Sequence, residues 1–104
     1  METNNFVGFK ATGTGFQIFF DDGYGISVQF GRGTYSDNYD IGHFLIDSAT
    51  SQCANAEVAI LYHGEIVVLD EIPGTNGDTV YQKQTPDDVA RMIDTLVDMR
   101  RRNK

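Results

Sequence analysis

Catalysis and metal binding need particular side chains at close range, and this sequence offers few of them. The chain has one cysteine, Cys53, and two histidines, His43 and His63. Zinc needs four ligands, so these three residues would need carboxylates beside them. Cys53 lies in an uncharged stretch, and no neighbour in the sequence favours its thiolate. We therefore predict a structural thiol and no metal site, while a pairing of Cys53 with His43 in space stays open.

Other patterns that carry chemistry are incomplete. Three Gly-x-Gly units occur, but none has the Gly-Lys-Ser/Thr ending of a phosphate loop or opens a helix. Asp37, Asn38 and Asp40 resemble part of a calcium loop without its spacing and its closing Glu. Asp70 and Glu71 are adjacent, and adjacent side chains on a strand point to opposite faces. The sequence thus predicts no catalytic residue, no cofactor and no enzyme activity.

The segment most suited to binding is residues 31–40, with the sequence GRGTYSDNYD. It follows a predicted strand, and loops held by a rigid sheet often carry binding groups. An arginine can fork onto a carboxylate or phosphate, and tyrosines can stack on a ring or anchor a partner. The alternative is a polar connection whose arginine pairs locally with Asp37 or Asp40. The predicted partner- or ligand-binding residues are Arg32, Tyr35, Ser36, Asp37, Asn38 and Tyr39.

The elements that would position this segment are mainly strands. Apolar residues alternate over residues 16–30 on both sides of an Asp-Asp-Gly-Tyr-Gly turn, which predicts a β-hairpin with positive φ at Gly23 and Gly25. A second hairpin is predicted over residues 57–69, with its His-Gly pair as a two-residue type I′ turn. The predicted apolar face of the first hairpin contains Phe16, Ile18, Phe20, Ile26, Val28 and Phe30.

Shorter elements are expected around the two hairpins. Residues 6–9 fit an edge strand, and glycines turn the chain after it. Residues 41–46 and 80–82 fit short strands, and residues 73–79 form a turn-rich loop.

The C-terminal part of the chain predicts one helix. Thr85 suits the N-cap and Pro86 the first helical position, and the closing arginines compensate the negative helix end. The predicted apolar stripe comprises Val89, Met92, Ile93, Leu96 and Val97, and the predicted i,i+4 ion pairs are Asp87–Arg91 and Asp98–Arg102.

Together these elements predict a single α+β domain over residues 1–104. Its antiparallel β-sheet has about four to six strands, and one C-terminal α-helix packs on one face. The other face would be left uncovered, and an apolar, exposed second face would favour a homodimer. The residues expected on it are Phe19, Ala59, Leu61, Val67 and Leu69.

Charge suggests the kind of partner. The chain has 15 acidic and 8 basic residues, a net charge of −7, and half of the basic residues lie at or after Arg100. Such an acidic body repels nucleic acid and is attracted to basic surfaces, including those of proteins that hold DNA or RNA. The alternative is that acidity serves solubility alone. The lone cysteine and the lack of an apolar leader or membrane segment predict a cytoplasmic protein with no membrane partner.

Three stretches resemble a family of small proteins encoded by bacteriophages and mobile elements. They are GYGISVQFGRGTYSDNYD at residues 23–40, NAEVAIL at residues 55–61 and QTPDDVARMI at residues 84–93. The family shares a G-Y/W-x-x-S-V-Q-F-G-x-G-x-Y-x-D-N core, an N/D-A-E-V-A strand and a T/S-P-x-x-V-x-x-x-I helix. Many members carry Cys where Ser36 stands, so a thiol chemistry at that position would be lost here. The family is uncharacterised, and the resemblance implies a phage or prophage setting only.

These observations favour a non-catalytic inhibitor of a bacterial defence system, anti-CRISPR-like or of another anti-defence type. It would act in the cytoplasm of a bacterial host on a host protein, in particular one that binds nucleic acid. One alternative is a binder of a nucleotide signal, with Arg32, Tyr35 and Tyr39 recognising phosphate and base. Another is a structural or accessory phage protein.

Overall fold

The computed structural model describes residues 6–30, 54–75 and 77–103. These residues form an antiparallel sheet with the C-terminal helix packed against it, which confirms the predicted α+β fold. The elements are β1 (Gly8–Thr12), β2 (Gly15–Phe19), β3 (Tyr24–Gln29), β4 (Ala56–Tyr62), β5 (Glu65–Val67), β6 (Tyr81–Gln84) and α1 (Pro86–Arg102).

The sheet is a meander that divides at β4. Strands β1 to β4 pair in sequence order, and β4 then pairs with both β5 and β6. Since β3 follows one edge of β4 from Glu57 to Tyr62, the two short strands share its other edge. The first predicted hairpin is confirmed, because Ile18 pairs with Ile26 across β2 and β3.

The two hairpin turns use positive φ in different ways. His63 has φ of 52° and Gly64 has φ of 84°, as the predicted two-residue type I′ turn requires. Gly23, with φ of 93°, turns the chain between β2 and β3. The expectation of positive φ at Gly25 is wrong, because Gly25 lies within β3. A Cβ there would lie 2.7 Å from the Ile18 carbonyl oxygen, so close packing against β2 is what favours glycine.

The shorter elements partly match the expectations. The edge strand exists, but it spans Gly8–Thr12 rather than residues 6–9, because it pairs with β2 from Gly8↔Phe19 to Thr12↔Gly15. The strand expected at residues 80–82 is β6, and the described part of the 73–79 loop contains neither strand nor helix. The strand expected at residues 41–46 lies outside the described residues.

The core lies between the helix and one face of the sheet. Residues paired across strands share a face, so Ile18, Ile26, Ile60 and Val67 point the same way. The expectation that Val67 and Leu69 point away from the helix is therefore wrong, and both pack against the core. The buried members of the core are Ile26, Val28, Ala56, Val58, Ile60, Ile72, Tyr81, Met92, Leu96 and Met99.

The helix begins with the predicted cap. The Thr85 hydroxyl accepts a hydrogen bond from the Asp88 amide at 3.1 Å, and the Asp88 carboxylate accepts one from the Thr85 amide at 3.0 Å. This reciprocal capping box fixes the direction in which α1 leaves β6. The bond from the Thr85 backbone also holds the pKa of Asp88 below its usual value.

Side chains along the helix largely follow the predicted pattern. Met92 and Leu96 are buried and Val89 and Ile93 pack against the core, but Met99, which the stripe omitted, is also buried. The Asp98–Arg102 ion pair is present at 3.1 Å. The predicted Asp87–Arg91 pair is wrong. Arg91 instead approaches Asp88 to 3.3 Å, one residue further along the helix.

Candidate functional site

The sequence-predicted binding segment lies outside the described residues. This holds for Arg32, Tyr35, Ser36, Asp37, Asn38 and Tyr39, and also for His43 and Cys53. The structure does show where the segment starts. Phe30 follows β3, packs against the core and donates its backbone N–H to the Thr14 carbonyl at 2.8 Å. Phe30, the last described residue before the segment, therefore lies beside the β1–β2 turn.

The described residues form a different concave region beside the first turns of α1. Two depressions, of about 450 and 240 Å³, share Gln84 as a lining residue. We call them together the loop–helix cleft. The larger depression is lined by Gly74, Thr75, Gly77, Asp78, Gln82 and Gln84. The smaller one is lined by Glu71, Ile72, Pro73, Gln84, Asp88, Arg91, Met92 and Thr95.

A buried tyrosine holds one wall of the cleft in place. Tyr81, at the start of β6, is fully buried, and its hydroxyl donates a hydrogen bond to the Ile72 carbonyl. Ile72 is itself buried, and its backbone N–H bonds the Leu69 carbonyl at 3.1 Å. Burial raises the pKa of the Tyr81 hydroxyl, so it stays a donor at neutral pH. This one side chain ties the loop after β5 to the sheet.

A bulge in β6 shapes the larger depression. Ala56 pairs with Gln84 and Val58 with Tyr81, so β6 has one more residue than the facing part of β4. Lys83 lies in this bulge with φ of 54°, an uncommon conformation for a residue other than glycine. Its neighbours Gln82 and Gln84 both line the depression. The bulge thus places two amide side chains in one polar wall.

Hydrogen bonds join these polar groups. The Gln84 side-chain amide donates to the Gln82 backbone carbonyl at 2.8 Å, and the Gln82 side-chain amide donates to the Asp78 carboxylate at 3.0 Å. Asp78 also accepts from the Thr79 backbone N–H at 2.7 Å. The larger depression therefore has a polar wall fixed to the backbone.

The smaller depression has an apolar floor and a charged rim. Ile72 and Met92 line it while being only 4% and 6% exposed. Glu71 is exposed, and the Asp88–Arg91 pair stands opposite on the helix. An apolar floor beneath carboxylates suits a long side chain with an apolar stem and a cationic end.

A second charged cluster joins the helix end to the β2–β3 turn. The Arg100 Nε donates to both Asp22 carboxylate oxygens at 2.8 and 3.0 Å, and its Nη2 donates to Asp21 at 2.8 Å. The guanidinium also lies 4.3 Å from the centre of the Phe20 ring. From its position near the C-terminal end of the helix, this arginine was expected to compensate the helix dipole. Its tertiary role was missed because its partners lie far away in the chain.

The environment of Asp22 favours its charged form. Burial by itself would raise the pKa of Asp22, but the hydrogen bond from Arg100, the Tyr24 backbone N–H at 3.2 Å and the charge of Arg100 outweigh it. The pKa of Asp22 consequently lies below its usual value. The cluster is a clamp between two carboxylates and a guanidinium.

The sheet face away from the helix carries a second polar network. The side-chain oxygen Oε1 of Gln29 accepts hydrogen bonds from the Thr12 and Thr14 hydroxyls at 2.7 and 2.5 Å. Its amide donates to Ser27 at 3.1 Å, and the Gln17 amide reaches the same hydroxyl at 3.3 Å. No buried side-chain polar atom in the described part of the chain lacks a partner. These groups satisfy one another, which favours a structural role.

The described residues contain neither a metal-ligand cluster nor a membrane-spanning helix. Within residues 6–30, 54–75 and 77–103, no three His, Cys, Asp or Glu side chains come together as a metal would require. Across the same ranges, no helix has the length and apolar character needed to cross a bilayer. Comparison of the chain with protein-family models, curated proteins and solved structures gave no match.

Proposed function

We propose that this chain is a non-catalytic binding protein of phage type that inhibits a bacterial defence system by covering a basic surface of a host protein. The observation that carries the proposal is the separation of charge along α1. Exposed carboxylates lie near the end where the helix begins, and three of the four arginines of the helix lie in its last turn. A helix of 17 residues separates the two ends by about 25 Å.

At the acidic end, where the helix begins, exposed carboxylates are accessible to a partner. Asp70, Glu71, Asp78 and Asp87 are exposed on or beside the loop–helix cleft. At the basic end, carboxylates of the same chain already engage two arginines, since Arg100 binds Asp21 and Asp22 and Arg102 binds Asp98. Since the chain has 15 acidic and 8 basic residues, the molecule presents mainly negative charge. Such a surface is attracted to proteins that normally hold nucleic acid.

The phage setting rests on the resemblance of residues 23–40, 55–61 and 84–93 to proteins of bacteriophages and mobile elements. A protein that inhibits by occupying a basic channel needs no catalytic group.

A defence assay tests the proposal. Bacteria carrying a CRISPR or another nucleic-acid-directed defence system would express the chain and be challenged with a sensitive phage. We expect plaques to be restored, and we expect the purified chain to displace nucleic acid from the target protein. The proposal fails if protection is unchanged for every such system and no nucleic-acid-handling host protein binds the chain at low salt, where electrostatic attraction is strongest.

A charge variant identifies the surface. Replacing Asp70 by Asn and Asp87 by Asn removes two exposed charges at the acidic end, and we expect weaker binding. The matched control is the double variant Asp94→Asn with Asp98→Asn, which also removes two exposed carboxylates, farther along the helix. Equal loss in both proteins would show that overall charge, and not this end of the molecule, drives binding.

A further inference from the structure

We propose that the loop–helix cleft receives an arginine side chain from an extended segment of the partner protein. This inference rests on the proposed function and names the group that the acidic end recognises. Its basis is the combination, within one cleft, of an apolar floor and an available carboxylate in the smaller depression and a polar wall in the larger one.

The floor of the smaller depression matches the stem of an arginine. Ile72 and Met92 form it, and both are held by the core, so it does not need to be built on binding. Arginine covers apolar surface with its methylene groups while its charged end stays at the rim. The volume of about 240 Å³ admits one long side chain rather than a folded peptide.

The rim offers a carboxylate for the guanidinium. Asp88 is already bound by the Thr85 backbone and by Arg91. Glu71 lines the same depression and is exposed, and no hydrogen bond or ion pair to another described residue engages it. A carboxylate binds a guanidinium through two parallel hydrogen bonds, whereas a lysine ammonium has no such fork. The arrangement therefore favours arginine over lysine.

The larger depression accommodates the main chain that carries this arginine. Its lining includes the side-chain amides of Gln82 and Gln84 and the backbone at two glycines. Gln84 borders both depressions, so a strand passing through the larger one can place a side chain in the smaller one. A glutamine side chain has both N–H donors and an acceptor oxygen. It can therefore bind the backbone C=O and N–H groups of a partner whatever the partner's sequence.

A peptide titration followed by NMR tests the assignment on the full chain. The probes are blocked Gly-Arg-Gly, Gly-Lys-Gly and Gly-citrulline-Gly, where citrulline keeps the shape of arginine without its charge. We expect the arginine peptide to shift the signals of Ile72, Gln84 and Met92, the lysine peptide to shift them less, and the citrulline peptide to leave them in place. Equal shifts from arginine and citrulline, or unshifted cleft signals with arginine, would overturn the assignment.

Two variants locate the binding groups. Glu71→Gln should lower the affinity for the arginine peptide about fivefold, as the loss of one exposed ion pair implies. Thr95→Arg adds a second guanidinium of the chain to the depression, besides that of Arg91, and should block the peptide. The matched control is Asp94→Asn, an exposed acid that does not line the cleft. Equal weakening by Glu71→Gln and Asp94→Asn would show bulk attraction and overturn the inference.

The inference and the proposed function can fail separately. If the host protein binds Glu71→Gln as well as the original chain, the cleft assignment is wrong and the function stands. If the arginine peptide binds in the cleft but no basic host protein binds the chain, the proposed function is wrong and the site stands.

Discussion

Arg100 fastens the last turn of α1 to the β2–β3 turn, and its removal should destabilise the whole domain. Its side chain is only 11% exposed, and Asp22, its main partner, is 27% exposed. Hydrogen bonds to a charged group contribute about 1.5–3 kcal/mol when shielded, and the stacking on Phe20 adds about 0.5–1 kcal/mol. The bond to Asp21 adds little, because that carboxylate is 64% exposed.

We therefore expect Arg100→Gln to lower the free energy of unfolding by about 2–4 kcal/mol. Urea denaturation followed by circular dichroism measures this change, and two-state behaviour is expected for a domain of this size. The matched control is Arg102→Gln, because Arg102 and its partner Asp98 are 58% and 63% exposed. An exposed pair of this kind contributes less than about 1 kcal/mol.

A double-mutant cycle separates the ion pair from the stacking. Combining Arg100→Gln with Asp22→Asn should give a coupling energy of about 1–2 kcal/mol, while Arg100 with Asp21 should couple far less. If Arg100→Gln and Arg102→Gln have the same effect, the clamp does not hold the helix to the sheet, and this reasoning is refuted.

The remaining predictions concern pH and the wall of the cleft. The pKa of Asp22 is lower in the folded protein than in the unfolded chain, so its stabilisation is fully present above the unfolded pKa of about 3.9 and is lost as pH falls through the folded value. Acid titration of the unfolding free energy should therefore show a shallower decline in Asp22→Asn than in the original chain, and identical curves would contradict this. Tyr81→Phe removes the hydrogen bond to the buried Ile72 carbonyl and should cost about 1–3 kcal/mol by denaturant unfolding. Tyr62→Phe, a change at an exposed tyrosine, should cost under about 0.5 kcal/mol, and equal effects would count against the Tyr81 tie.

Local patterns predicted the elements of the fold because each is set by neighbouring residues. The alternation over residues 16–30 and the capping pattern from Thr85 are such local signals. The edge strand was misplaced because its bounds depend on its pairing with β2, where Gly8 faces Phe19. The residues of a strand do not by themselves determine the register in which it pairs with its neighbour.

The misplaced face of Val67 could have been found in the sequence. The predicted two-residue turn makes Tyr62 pair with Glu65, and stepping back along both strands pairs Ile60 with Val67. Residues so paired share a face, which puts Val67 in the core with Ile60. Turn type therefore predicts a residue's face better than the apolar run in which the residue lies.

The candidate site was beyond sequence analysis for a physical reason. The cleft depends on the Tyr81 hydroxyl reaching Ile72 and on a bulge at Lys83, and both arise from tertiary pairing. Glu71 appeared in the sequence only as half of an adjacent acidic pair. The segment that the sequence did favour, from Arg32 to Tyr39, lies outside the described residues, and its binding role stays a prediction.

The salt dependence of binding tests the central claim most directly. The dissociation constant of the chain and its host target would be measured from low to high salt by titration calorimetry. If an acidic surface covers a basic one, affinity should fall steeply as salt rises, and nucleic acid should compete for the same surface. Affinity that is unchanged by salt, or binding that nucleic acid does not disturb, would contradict the account.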